Sequence, residues 1–98
     1  MAGRAGMTPE ITHDTKRQRY SLVIDGVEAY LTYERPKPGQ RHITHTIVPD
    51  ALGGRGYGKR LVARIMADIA EARETVSSSC WFATAIIDKT SAWADLRA

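Results

Sequence analysis

A single cysteine, Cys80, is all the thiol that these 98 residues contain. No internal disulfide can form, so the expected setting is a reducing one, the cytoplasm. No apolar run approaches the roughly 20 residues that a membrane-spanning helix needs, and the opening Met1-Ala2-Gly3-Arg4-Ala5-Gly6 lacks the apolar stretch of a secretory signal. Three histidines, His13, His42 and His45, do not combine with one cysteine into a recognisable zinc spacing, so no metal is expected. Aromatic residues are few, and none interleave with a basic stripe as single-strand nucleic-acid binding requires. The net charge of +3 is spread over Lys16-Arg17-Arg19, Arg35-Lys37-Arg41 and Arg55-Lys59-Arg60. A site for a polyanionic small molecule explains that charge more economically than a nucleic acid does. With 43% hydrophobic and 26% charged residues, the chain reads as one folded domain that is neither membrane-embedded nor disordered.

Glycine is concentrated where an apolar strand runs into an amphipathic helix, in Gly53-Gly54-Arg55-Gly56-Tyr57-Gly58-Lys59. Without Cβ atoms the backbone can turn tightly and aim successive N–H groups at an anion at the helix N-terminus. Arg55, Lys59 and Arg60 add positive charge beside that cradle. A loop that only turns the chain is the plainer reading of the same glycines.

Residues 1–19 are polar and without period, which predicts a flexible lead-in before a domain over residues 20–98. Strands are predicted over residues 20–24 and 27–34, joined at Asp25-Gly26, with Val27, Ala29, Leu31 and Tyr33 on one face. A third strand over 41–48 places His45 on the face of Ile43 and Ile47, and Pro49 ends it. Leu61, Val62, Ile65, Met66 and Ile69 then recur at helical spacing. A fourth strand over 76–81 follows, parallel to its neighbour because a long helix connects them. A short helix over 82–89 comes next, and Trp93 and Leu96 anchor the end. Tyr30, Tyr33, Trp81 and Phe82 are read as packing. The fold class is thus α/β, with a mixed sheet and helices.

Three stretches in this order resemble the GNAT acetyltransferase superfamily, and its minimal single-domain members in particular. Gly56-Tyr57-Gly58 is similar to the second half of the superfamily's Arg/Gln-x-x-Gly-x-Gly/Ala loop, with Gly53 standing at the Arg/Gln position. Ile43-Thr44-His45-Thr46-Ile47-Val48-Pro49 is similar to an Ile-x-His-Thr-x-Val-Pro strand. Cys80-Trp81-Phe82, followed by Trp93-Ala94-Asp95-Leu96, is similar to a Cys-x-Tyr stretch followed by an aromatic-Ala-Asp-Leu segment, without its His-Pro-Glu part.

The resemblance implies acetyl-CoA as cosubstrate, with its pyrophosphate on the N–H groups of Gly53, Gly54, Arg55, Gly56, Tyr57, Gly58 and Lys59. It implies that the backbone at Ile47 and Val48 grips the pantetheine arm and that Phe82 flanks the cofactor. His45 is then the candidate base and Cys80 the candidate acid or nucleophile, in a cleft between splayed parallel strands. The plainer readings are a satisfied sheet histidine and a small buried cysteine. The expected reaction is acetyl transfer to a primary amine, on a small molecule or on a protein lysine or N-terminus, by a monomer or weak dimer. The alternative is a non-catalytic acyl-CoA-binding or protein-interaction module.

Overall fold

The computed structural model describes residues 10–98. Four antiparallel strands come first: β1 (Thr12–Asp14), β2 (Arg19–Ile24), β3 (Val27–Lys37) and β4 (Gln40–Ile47). A 3-10 turn (Asp50–Leu52) leads to helix α1 (Tyr57–Ala72), strand β5 (Thr75–Ser78), helix α2 (Trp81–Lys89) and a last 3-10 turn (Ser91–Leu96). The sheet order is β1-β2-β3-β4-β5, with β5 parallel to β4. Parallel neighbours need a long crossover, which α1 provides.

Both central residues of the β2–β3 hairpin take positive φ, Asp25 at 51° and Gly26 at 79°. A turn of that hand matches the twist of the strands it joins. The apolar stripe of α1 (Leu61, Val62, Ile65, Met66 and Ile69) is fully buried against Tyr20, Leu22, Ala29, Leu31 and Ile43 of the sheet. Ala83 and Ile87 of α2 join the same core, and Trp93 and Leu96 pack against its edge. All of this lies on one side of the sheet. On the other side, Val23, Glu28, Tyr30, Thr32, His42, Thr44, His45 and Ile47 are exposed or half-buried.

The structure departs from the sequence-based expectation at several places. Of the lead-in, residues 1–9 lie outside the described residues, but residues 12–14 form β1 and pair with β2. The reason is His13, whose ring stacks on Tyr20 with centroids 4.0 Å apart and whose Nε2 lies 2.7 Å from the Tyr33 hydroxyl. β3 runs past Glu34 to Lys37, and Pro36 falls where the register slips between Glu34 and Lys37. No ladder bond is asked of its missing N–H there. β5 ends at Ser78, not at Trp81, and Trp81 opens α2. Trp81 is 82% exposed and does not pack in the core.

One charged residue is buried in the sheet. Arg41 is 5% exposed, and donates through Nε to Glu74 at 2.7 Å and through a terminal nitrogen to the Tyr20 hydroxyl at 2.8 Å. Tyr20 donates in turn to Asp68 at 2.7 Å. Charge pairing of this kind is what makes a buried guanidinium tolerable, and here it ties β4 and β2 to the far half of α1. At the sheet's other edge, Arg97 bridges Val76 in parallel and the Ala98 N–H donates to the Val76 carbonyl at 2.8 Å.

Candidate active site

A strand alternates its side chains between faces, so one extra residue reverses the alternation beyond it. β4 has such a residue. Tyr33 pairs with Ile43 and Thr32 with His45, which leaves Thr44 over. Thr44 stays beside Thr32, with the two hydroxyl oxygens 2.6 Å apart. Ile43 therefore faces the core while His45 and Ile47 face outward. This corrects the sequence reading, which put His45 and Ile43 on one face. Thr46 takes the inward place that His45 would have had.

β5 accompanies β4 only as far as the Ile43–Ser78 pair, closed by the Ser79 N–H donating to the Ile43 carbonyl at 3.0 Å. Beyond it β4 continues to Ile47, while the other chain turns at Cys80 into α2. The strands part, and two hollows open between them. One, of about 230 Å³, is lined by Thr46, Val48, Cys80, Trp81 and Phe82. The other, of about 370 Å³, is lined by Thr44, His45, Thr46, Ile47, Ser79, Cys80 and Trp81. The structure thus brings the two predicted chemical residues, His45 and Cys80, to one hollow.

Cys80 caps α2, and its backbone is clamped. Its N–H donates to the Ser78 hydroxyl at 3.1 Å, that hydroxyl donates to the Cys80 carbonyl at 3.1 Å, and Thr84 donates to Ser78 at 2.9 Å. The thiol meets the Thr46 hydroxyl at 3.6 Å.

The glycine loop stands at the start of α1. Gly54 and Gly56 take φ of 76° and 80°, with open space where a Cβ would be. The first helical hydrogen bond runs from the Arg60 N–H to the Gly56 carbonyl at 3.1 Å, and no side chain caps the helix. The N–H groups of Gly56, Tyr57, Gly58 and Lys59 precede it and have no partner within the helix. Arg55 and Lys59 are exposed beside them. Gly53 differs, because its N–H is taken by the Asp50 carbonyl at 3.0 Å. Gly58 is buried, and a Cβ there would come within 2.8 Å of the Phe82 ring and 3.3 Å of Val48. It is small so that α1 can approach the wall of the first hollow.

The family of GCN5-related N-acetyl-transferases matches residues 19–96. The chain belongs to that family. Among its relatives, Protein NATD1 of Xenopus tropicalis is 34% identical over 74 residues, spanning 74% of this chain and 68% of that protein. Protein NATD1 of Mus musculus is 31% identical over 74 residues, spanning 74% and 67%. The solution structure of a GCN5-like protein from Staphylococcus aureus superposes with a TM-score of 0.75 at 27% identity, covering 91% of this chain and 87% of that one. The mixed five-stranded sheet is a GCN5-related fold. No helix among the described residues is long and apolar enough to cross a membrane.

Within this GCN5-related domain the sequence reading missed Thr46, Ser79 and the exposed ring of Trp81. Thr46 and Ser79 became visible only once the bulge and the end of β5 were located. Trp81 carried no distinguishing signal, since an aromatic beside a strand end is usually core.

Proposed function

We propose that this protein is an acetyl-CoA-dependent N-acetyltransferase that moves acetyl to a primary amine. One observation carries the reading: an uncapped helix N-terminus behind left-handed glycines stands at one end of a strand splay whose centre is a cysteine. The residues present fit the cosubstrate. The N–H groups of residues 56–59 suit a pyrophosphate, because they are aligned with the positive end of the helix and no Cβ intrudes. Arg55 and Lys59 add charge there. The backbone of residues 44–48, left unpaired where β5 departs, suits an amide-bearing arm such as pantetheine, with Ile47 and Val48 gripping it and Phe82 walling the hollow.

Bound acetyl-CoA supplies an acyl group already activated as a thioester. The chain's own residues would do the rest. His45, outward on the larger hollow, would take the proton of the incoming amine, and the Cys80 thiol would return a proton to the departing thiolate. Thr46 would hold that thiol in place, and the Ser78–Thr84 clamp would hold its backbone. The two hollows share Thr46, Cys80 and Trp81, so cosubstrate and acceptor would meet beside the thiol, as direct transfer requires.

The test is calorimetric titration of acetyl-CoA, CoA and dephospho-CoA against the wild type, Gly56→Glu and Gly56→Asn. Asparagine tolerates positive φ, so binding retained by Gly56→Asn and abolished by Gly56→Glu would support the cradle. Absence of binding by the wild type to all three would overturn the reading. Binding without release of CoA in a screen of amines would favour a non-catalytic acyl-CoA-binding module.

A further inference from the structure

The β4 bulge gathers a second imidazole to the outer face. His42 and His45 are three positions apart, a spacing that turns side chains to opposite faces of an unbroken strand. With Thr44 inserted, His42 opposite Glu34 and His45 opposite Thr32 both point outward. His42 is held at both ring nitrogens: Nδ1 lies 2.7 Å from the Ser77 hydroxyl and Nε2 lies 3.1 Å from the Ser79 hydroxyl. Gln40 donates to Ser77 at 2.9 Å, which anchors the far end. Ser79 lines the larger hollow beside His45 and Cys80, whereas His42 does not. The His42 ring therefore stands one hydroxyl behind the place where an acceptor would sit.

We infer that Ser79 and His42 form a proton relay serving the acceptor amine, an assignment that rests on the acetyl-transfer reading. Before attack, one ammonium proton of the acceptor passes to Ser79 Oγ and the serine's own proton passes to His42 Nε2, which frees the nitrogen lone pair. The proton that the neutral amine sheds on bonding to the acyl carbon goes to His45. Serine ends neutral and the ring ends as imidazolium, so protons and charge balance. The step requires the tautomer with Nδ1–H donated to Ser77, whose two lone pairs also accommodate the Gln40 amide. Across the sheet His42 pairs with Glu34 on β3 and with Ser77 on β5. His42 acts through Ser79 and does not touch the acceptor. His45 shares the hollow but has no hydroxyl pair fixing its ring.

Two measurements test this. In the free protein, nitrogen-15 spectra of the imidazoles should show that Ser79→Ala moves the His42 Nε2 resonance and Ser77→Ala moves Nδ1; unmoved resonances would overturn the relay whatever the activity. In the second, CoA release from acetyl-CoA is followed at pH 7 with ethylamine and with trifluoroethylamine, which match in skeleton but differ in basicity. His42→Gln and Ser79→Ala should each slow ethylamine turnover about 100-fold, the scale of general base catalysis. They should leave trifluoroethylamine turnover little changed, and added imidazole should restore part of the loss in His42→Gln. Equal losses with both amines, or no loss, would overturn the relay alone. No CoA release by the wild type with either amine, although acetyl-CoA binds, would overturn acetyl transfer and the relay with it.

Discussion

The Thr46 hydroxyl lies 3.6 Å from the Cys80 thiol, although alternation counted from Ile43 would turn Thr46 to the opposite face. The extra residue at Thr44 makes that contact. Thr46→Val keeps the volume and removes the hydroxyl, a loss of about 1 kcal/mol for one hydrogen bond. The expected outcome is acetyl transfer slowed roughly five- to tenfold with acetyl-CoA affinity unchanged, checked by turnover and calorimetry on the same preparation.

Gly58 has no room for a Cβ, which would come within 2.8 Å of Phe82. Overpacking of this kind costs about 1–3 kcal/mol, offset by about 1 kcal/mol from alanine's better helix propensity. Gly58→Ala should therefore lower stability by up to about 2 kcal/mol and also shift the Phe82 ring, with urea unfolding as the measure. A Gly58→Ala protein as stable as the wild type would show that Phe82 moves aside without penalty.

Trp81 separates packing from function. At 82% exposure, it should be replaceable by alanine within about 0.5 kcal/mol of stability. Because it borders both hollows, Trp81→Ala should weaken the apparent affinity for the acceptor amine. A large drop in unfolding midpoint would instead return Trp81 to a structural role.

Acid should destabilise the fold in two stages. Burial, followed by the nearby positive Arg41, holds the His13 imidazole below its ordinary 6.5 despite the opposing Asp68. Folding therefore excludes a proton that the unfolded chain accepts, and stability falls as pH drops below 6.5 until His13 protonates in the fold. Burial alone would raise the Glu74 carboxyl, but Arg35 and Arg41 outweigh it and leave it below 4.5, so its contribution is lost as pH falls below that value. His13→Gln should remove the upper stage and leave the lower one. A wild-type stability curve that is flat between pH 7 and 5 would refute the His13 assignment.

The parts of the fold that were legible in sequence are those set by local period and turn chemistry. Asp25-Gly26 announced the first hairpin, and the stripe from Leu61 to Ile69 announced α1, because each depends on neighbours a few positions away. β1 was not legible, since its pairing rests on His13 meeting Tyr20 and Tyr33 across the sheet. The site was half legible. Cys80 and the glycine loop stand where the chain changes element, so their places in the fold were readable. The facing of His45 was not, because a bulge is a property of two paired strands and leaves no mark on one of them.

A sheet covered on one side only divides the labour of its residues. The inward row (Leu22, Ala29, Leu31 and Ile43) is locked by the helices, and any change there is felt by the whole fold. The exposed positions around the larger hollow (His45, Ile47 and Trp81) carry no such burden. Substitutions around that hollow can therefore accumulate without the loss of stability that usually limits how far a surface site can drift.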